Sequence, residues 1–153
     1  MLMGRVVPPV DPSARCAPPI TSDVHHERAQ HPMNTSTLVL VWLLCASLAG
    51  DALLSLRPPT FISDCLHGVG FPREWWWTLV VIKALAAIGL AVGALRNDPG
   101  VAATVAIGTT AYFGSAAITH IRARFTGSAF WINCLAMLLL STLTAGVTVA
   151  AYL

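Results

Sequence analysis

The sequence predicts an all-α fold: an integral membrane bundle of four helices behind a disordered N-terminal leader. Two features of composition and one of pattern carry that reading. Of 153 residues, 56% are hydrophobic and only 10% charged, whereas a soluble domain carries about 25% charged residues to keep its surface hydrated. Mean hydropathy is +0.69. Four apolar runs, at about 37–56, 75–95, 101–121 and 130–153, each approach the ~20 residues needed to cross a ~30 Å hydrocarbon core at ~1.5 Å per residue. Soluble core helices are shorter and amphipathic.

Residues 1–32 differ from everything after them. They hold six of the ten prolines, three Arg, three acids and three His, with no continuous apolar stretch. That excludes a secretory signal, which needs a 7–15-residue apolar region. Such a segment buries too little surface to offset its ordering entropy, so disorder is expected. Met33 stands just ahead of the first apolar run, and the expectation is that translation starts there, giving a domain of residues 33–153.

The first run is broken only by Asp51 and stops at Arg57-Pro58-Pro59. Loop 57–74 follows, with room for one interfacial helical turn at 60–67 whose Phe61, Ile62 and Leu66 enter the headgroup layer. The second run contains Lys83. Asn97-Asp98-Pro99-Gly100 is a tight polar turn that makes the second and third runs antiparallel neighbours. The third run ends at His120. The fourth has no charge and reads as apolar beyond Asn133.

Loops 57–74 and 122–129 share one membrane face, here called side B. Trp75, Trp76, Trp77, Phe125, Phe130 and Trp131 mark its interface, because amphipathic rings settle at headgroup depth. Side B carries Arg57, Arg73, Arg122 and Arg124, and side A carries Arg96. If the chain starts at Met33, the count of four against one makes side B cytoplasmic. With Arg5, Arg15 and Arg28 present, the count is level and the rule gives no orientation.

Ionisable residues inside a bilayer cost ~2.5–3.5 kcal/mol each at the helix centre, so they demand partners. Asp51 and Lys83 lie on consecutive antiparallel helices, both about 8–12 Å below the side-B surface. They are expected to pair in the bundle interior, capped toward side B by His120, Thr119 and Asn133. Two readings stay open. The pair is interhelical glue with Lys83 snorkelling, or it forms a polar pocket for a headgroup, a quinone-like ring or a proton relay. Small residues supply the packing: Gly89 and Gly93 in a GxxxG spacing, and Gly114 and Ala116 on the third helix. They point to packing within the chain ahead of dimerisation.

Cys16, Cys45, Cys65 and Cys134 are scattered, with no CxxC or Cys/His cluster, so no metal site is expected. Cys45 and Cys134 read as small buried thiols, and Cys65 forms a disulfide only if its loop faces an oxidising compartment. The net charge of +2, with no basic run, excludes nucleic acid as a partner. Walker, GxGxxG, HExxH and GxSxG motifs do not occur.

Gly70-Phe71-Pro72, Lys83-Ala84-Leu85, Ala87-Ile88-Gly89-Leu90 and Ser115-Ala116-Ala117-Ile118-Thr119-His120 resemble the DoxX-like family in order and spacing. That family has a loop ending in Gly-aromatic-Pro, a "KLLG"-like second helix and a third helix ending in a "GAAxxH"-like motif. Ser115 and Ala86 stand where that pattern has Gly, which implies a divergent branch. The resemblance covers 37–153 and implies a small multi-pass protein of the prokaryotic plasma membrane. Most members have no assigned activity. Some relatives resemble a subunit of a thiosulfate:quinone oxidoreductase, and others are linked to redox-stress complexes. It therefore implies an accessory subunit of a quinone-coupled oxidoreductase, with a quinone as ligand, no intrinsic cofactor, and a membrane or peripheral oxidoreductase as partner. Lys83 and His120 occupy the family's polar positions, and no catalytic role transfers with them. The alternatives are an assembly or transport module, the latter as a homo-oligomer, and a purely structural bundle.

Overall fold

Asn34 starts the first helix, α1 (Thr35–Leu56), by accepting the Thr37 N–H at 2.8 Å on its side-chain oxygen. This satisfies a donor that the first helical turn leaves unpaired. The computed structural model describes residues 32–57, 60–128 and 130–153, with the backbone alone at Phe61 and Cys65. Apart from residue 32, the expected leader lies outside the described residues. So do the side chain of Cys65, and with it any disulfide, and that of Phe61.

Four more helices follow: α2 (Thr60–Gly68), α3 (Trp76–Leu95, entered through a 3-10 turn at Arg73–Trp75), α4 (Pro99–Arg122) and α5 (Ala136–Tyr152). A π-helical segment, Phe130–Leu135, leads directly into α5. The spans Thr35–Leu56, Arg73–Leu95, Pro99–Arg122 and Phe130–Tyr152 are each long and apolar enough to cross a bilayer. α1 packs on α3, α3 on α4, α4 on α5, and α5 closes the ring against α1.

Three helix ends turn through the left-handed backbone region, each closed by a bond from the next N–H to a carbonyl five residues back. Gly70 (φ 70°) ends α2 with Phe71 N–H on the Leu66 carbonyl at 2.9 Å. Asn97 (φ 52°) ends α3 with Asp98 N–H on the Gly93 carbonyl at 2.9 Å. Arg124 (φ 54°) ends α4 with Phe125 N–H on the His120 carbonyl at 3.0 Å. Asp98 then caps α4 by accepting the Gly100 and Val101 N–H groups at 2.9 and 3.1 Å, with Pro99 at the first helical position. The side-chain oxygen of Asn97 also accepts the Met33 N–H at 2.9 Å, tying the approach to α1 onto this side-A turn.

The interior is a narrow seam. Val41, Leu44, Leu48, Leu90, Ala102 and Ala106 are at most 1% exposed. Leu53, Leu85, Leu95 and Ile132 are 62–76% exposed and face outward with many other large apolar residues. Water would make that surface an aggregation site; hydrocarbon solvates it, so this is a multi-pass membrane protein. A lipid solvent gives no hydrophobic drive between helices, and cohesion comes from close packing. At Gly93 a Cβ would lie 3.0 Å from the Ala102 backbone nitrogen, and at Gly89 it would lie 2.8 Å from the Val105 side chain. The GxxxG face is thus applied to α4. Gly114 is looser, its Cβ position 4.0 Å from Leu138, and Ala116 packs against the small cluster of Ala117, Phe130 and Cys134.

Two expectations need correction. Phe130 is no interface marker: it is 4% exposed and its ring lies 5.3 Å from that of His120, centre to centre. Trp75, Trp77 and Trp131 remain 57–63% exposed at the side-B boundary. Ile62 and Leu66 of α2 line a cleft on side B, and Gly68 at the end of α2 sits against the Phe125 ring. The fourth span is not apolar beyond Asn133. Ser141, Thr144 and Thr148 are fully buried along one face, each donating to a carbonyl of its own helix at 2.7–3.0 Å, so the hydroxyls are satisfied and the side chains stay small.

Gly93→Leu should destabilise the bundle by about 1–3 kcal/mol, since backbone must move to admit the side chain. Gly146→Leu is the control, because a Cβ there meets nothing within 4 Å. Thermal unfolding of both variants in detergent checks the contrast, and equal melting temperatures would contradict the packing assigned to Gly93.

Candidate functional site

Asp51 lies on the inward face of α1 and Lys83 on that of α3, each within the half of its helix nearer side B. Nζ of Lys83 is 2.7 Å from Oδ2 of Asp51, with both side chains at most 9% exposed. Two charges that hydrocarbon would reject separately make a neutral unit. Ser55, one turn after Asp51, locks the unit to α1. Its hydroxyl donates to the Asp51 carbonyl at 2.7 Å and accepts from Lys83 Nζ at 3.2 Å. From the π segment, Asn133 Nδ2 donates to Asp51 Oδ1 at a long 3.4 Å. Apart from the ammonium contact, Oδ2 of Asp51 is fully buried and accepts no hydrogen bond among the described residues.

His120, 8% exposed, is held where α4 ends. Its Nδ1 lies 3.0 Å from the Phe125 carbonyl oxygen. A carbonyl only accepts, so Nδ1 carries the proton in this contact. Phe125 and Phe130 flank the imidazole at centroid distances of 6.4 and 5.3 Å. Thr119 is exposed, and its hydroxyl donates to the Ser115 carbonyl of its own helix at 2.9 Å.

These residues border one cleft of about 250 Å³ on side B, with Lys83, Asn133, His120 and Thr119 on its lining. Asp51 sits behind Lys83. α2 covers one flank through Ile62 and Leu66, while Phe71, Trp76 and Phe113 give aromatic walls. Trp76 is fixed by its indole N–H on the Phe71 carbonyl at 3.2 Å, by His67 stacked edge-on at 5.2 Å, and by Arg73 5.3 Å from its ring centre. The cleft therefore combines hydrogen-bond donors at its floor with flat apolar sides.

Sequence reasoning missed Tyr112, Ser55, Trp76 and Cys134, which also line this cleft. Helical spacing held a signal for three of them. Ser55 follows Asp51 by four residues, Trp76 precedes Lys83 by seven, and Tyr112 precedes His120 by eight, so each shares a face with a residue already singled out. Cys134 is buried, its thiol 3.6 Å from the Phe113 carbonyl, and Cys45 donates to the Ala87 carbonyl at 3.2 Å. Among the described residues no three His, Cys, Asp or Glu side chains converge as a metal site would require.

Removing only one charge should cost more than removing both. Lys83→Met leaves Asp51 buried without its counter-ion and should destabilise by about 3–5 kcal/mol. Asp51→Asn with Lys83→Gln keeps the volume and a neutral hydrogen-bonding pair, so it should lose markedly less. Unfolding titrations of the single and double variants measure the difference, and a double variant as unstable as the single would refute the ion-pair assignment.

Curated proteins and solved structures gave no match to the chain. The model of the DoxX-like family matches residues 39–147, a stretch that runs from the second turn of α1 into the last turns of α5 and takes in the ion pair, His120 and every residue that lines the cleft. The chain belongs to the DoxX-like family.

Proposed function

We propose that the protein is an accessory subunit of the prokaryotic plasma membrane whose side-B cleft binds the ring of a quinone for a partner oxidoreductase. One observation carries this reading: hydrogen-bond donors gather at the floor of an aromatic-walled cleft that is buried in a membrane bundle. A Lys ammonium has three N–H bonds. Among the described residues Asp51 and Ser55 take two of those on Lys83, leaving one for a ligand carbonyl. Asn133 and Tyr112 supply further donors on the same lining. A quinone carbonyl needs such donors, and its planar ring suits the gap between Phe71, Trp76 and Phe113.

Size supports a ring without its full tail. The cleft, at about 250 Å³, falls below the ~300–1,000 Å³ of sites that enclose drug-sized ligands. In this reading the chain supplies binding and orientation, and electrons pass to or from the partner, which docks on the membrane or within it.

The test is a titration of purified protein with a tail-less dimethoxybenzoquinone, followed by quenching of the cleft tryptophan. Asp51→Asn with Lys83→Met keeps the site neutral while removing the charged donor. Losing a hydrogen bond from a charged group costs about 1.5–3 kcal/mol, so affinity should fall about ten- to hundredfold. His120→Ala should weaken binding less, through the loosened wall. Unchanged affinity in both variants overturns the reading and leaves a bundle whose ion pair serves packing alone. A defined soluble protein cross-linking in native membrane supports the accessory role, whereas a homo-oligomer with no such partner favours transport.

A further inference from the structure

A second cavity, of about 370 Å³, opens between α3 and α4 below the cleft. Its walls are Ile82, Leu85 and Ala86 on one side and Val105, Gly108 and Thr109 on the other, with Leu48 of α1 as its floor. Lys83 and Tyr112 line this crevice and the side-B cleft alike. The two spaces therefore share one pair of lining side chains, the first carrying donors and aromatic walls, the second almost wholly apolar. Along α4 the crevice extends from Tyr112 to Val105, about 10 Å at ~1.5 Å per residue, toward the middle of the bilayer. It closes where Gly89 packs on Val105. Its outer rim, with Ile82 and Leu85 46% and 62% exposed, faces lipid.

We infer that the two cavities form one site for a single-tailed amphiphile, whose acceptor-bearing ring sits in the cleft and whose apolar tail passes Lys83 and Tyr112 and leaves sideways between α3 and α4. This rests on the ring-binding reading above and adds the class of ligand and its path. The occupant is a tail continuous with the bound ring, because the crevice begins at the same ammonium that meets the ring. Gly108 keeps the path open: a Cβ there meets nothing within 4 Å, so any larger side chain at this position grows into the space the tail requires. Lipid is as apolar as the crevice, so the tail gains little by leaving the bilayer. Selection by the crevice is therefore steric, a test of whether a tail of the right thickness can pass.

The experiment compares two probes on full-length protein in detergent: the tail-less dimethoxybenzoquinone and the same ring with a decyl tail. Gly108→Leu, and Ala86→Leu on the facing wall, should weaken the decyl-tailed probe at least tenfold and leave the tail-less probe within about twofold. Retained affinity for the tail-less ring also shows that each variant has folded. Equal effects on both probes, or none on either, overturn the tail path while the ring site stands. If wild-type protein binds neither probe, both readings fall. A decyl-tailed quinone with a mid-tail diazirine should label peptides spanning 101–122 and be displaced by the unlabelled tailed quinone. Labelling that the unlabelled quinone does not displace would assign the crevice to ordinary lipid chains and overturn the inference.

Discussion

A carboxylate and an ammonium placed in hydrocarbon can stay charged only in each other's company, and much of this bundle follows from that demand. Asp51 and Lys83 meet at 2.7 Å, so α1 and α3 cannot slide or rotate past each other without separating two buried charges. That penalty exceeds what dispersion between apolar faces contributes to any one register. The pair therefore sets the depth and facing of two helices. Ser55 follows α1 and Asn133 reaches across from the fourth span, so both extend the same constraint. The cleft forms above the pair because long polar groups, unlike the methyl-lined seam below, do not fill the space between helices closely.

Elsewhere the chain meets lipid's indifference with contact at short range. α3 and α4 approach closely enough at Gly93 that a Cβ would touch the Ala102 backbone. They are joined by a turn in which Asn97 takes the left-handed conformation and Asp98 caps the following helix. On the fourth span, Ser141, Thr144 and Thr148 do the work of small residues, their hydroxyls turned back onto their own backbone. α3 and α4 thus meet closely near side A, and the irregular elements gather at side B. There the π segment, the αL cap at Arg124 and the short helix α2 interrupt regular packing. π turns occur often at functional sites because they redirect side chains that a regular helix would place elsewhere, and here one brings Asn133 and Cys134 to the cleft and Phe130 against His120.

What was legible in the sequence follows from which forces act along the chain and which act across it. The four spans are written in a single local variable, about twenty apolar residues between polar breaks, so their positions could be read within a few residues. The Asp51–Lys83 pairing was readable because the bilayer turns depth into a coordinate that sequence position measures. Facing was harder. In lipid, inward and outward surfaces are both apolar, so a helix such as α3 carries no polar stripe to mark its exterior. Phe130 and Trp131 are neighbours of the same chemistry, yet one is 4% exposed and the other 62%. Adjacent helical positions point in different directions, and nothing in Phe-Trp-Ile-Asn-Cys-Leu announces which of the two turns inward. The inward role of Tyr112 was hidden for a related reason: an aromatic in a membrane helix reads as lipid-facing until its distance from His120 is measured in helical turns.

The same economy bears on how function sits on this fold. Lys83 satisfies the charge that holds two helices and also lines the cleft and the crevice, so in the proposed reading structural and ligand-directed demands fall on one side chain. A residue whose ammonium has two protein partners and three N–H groups is suited to this, since the bundle is held by two bonds and the third can be given to a guest without breaking them. In that reading binding adds to a pair that is already in place, and little reorganisation is needed when a ligand arrives. Preorganised donors of this kind cost least at the moment of use, and a low-dielectric setting makes each of them count for more. A bundle that had satisfied every polar group internally would be more stable and inert. Among the described residues Lys83 keeps one donor unspent beside the cleft, and the proposed ring site rests on that feature.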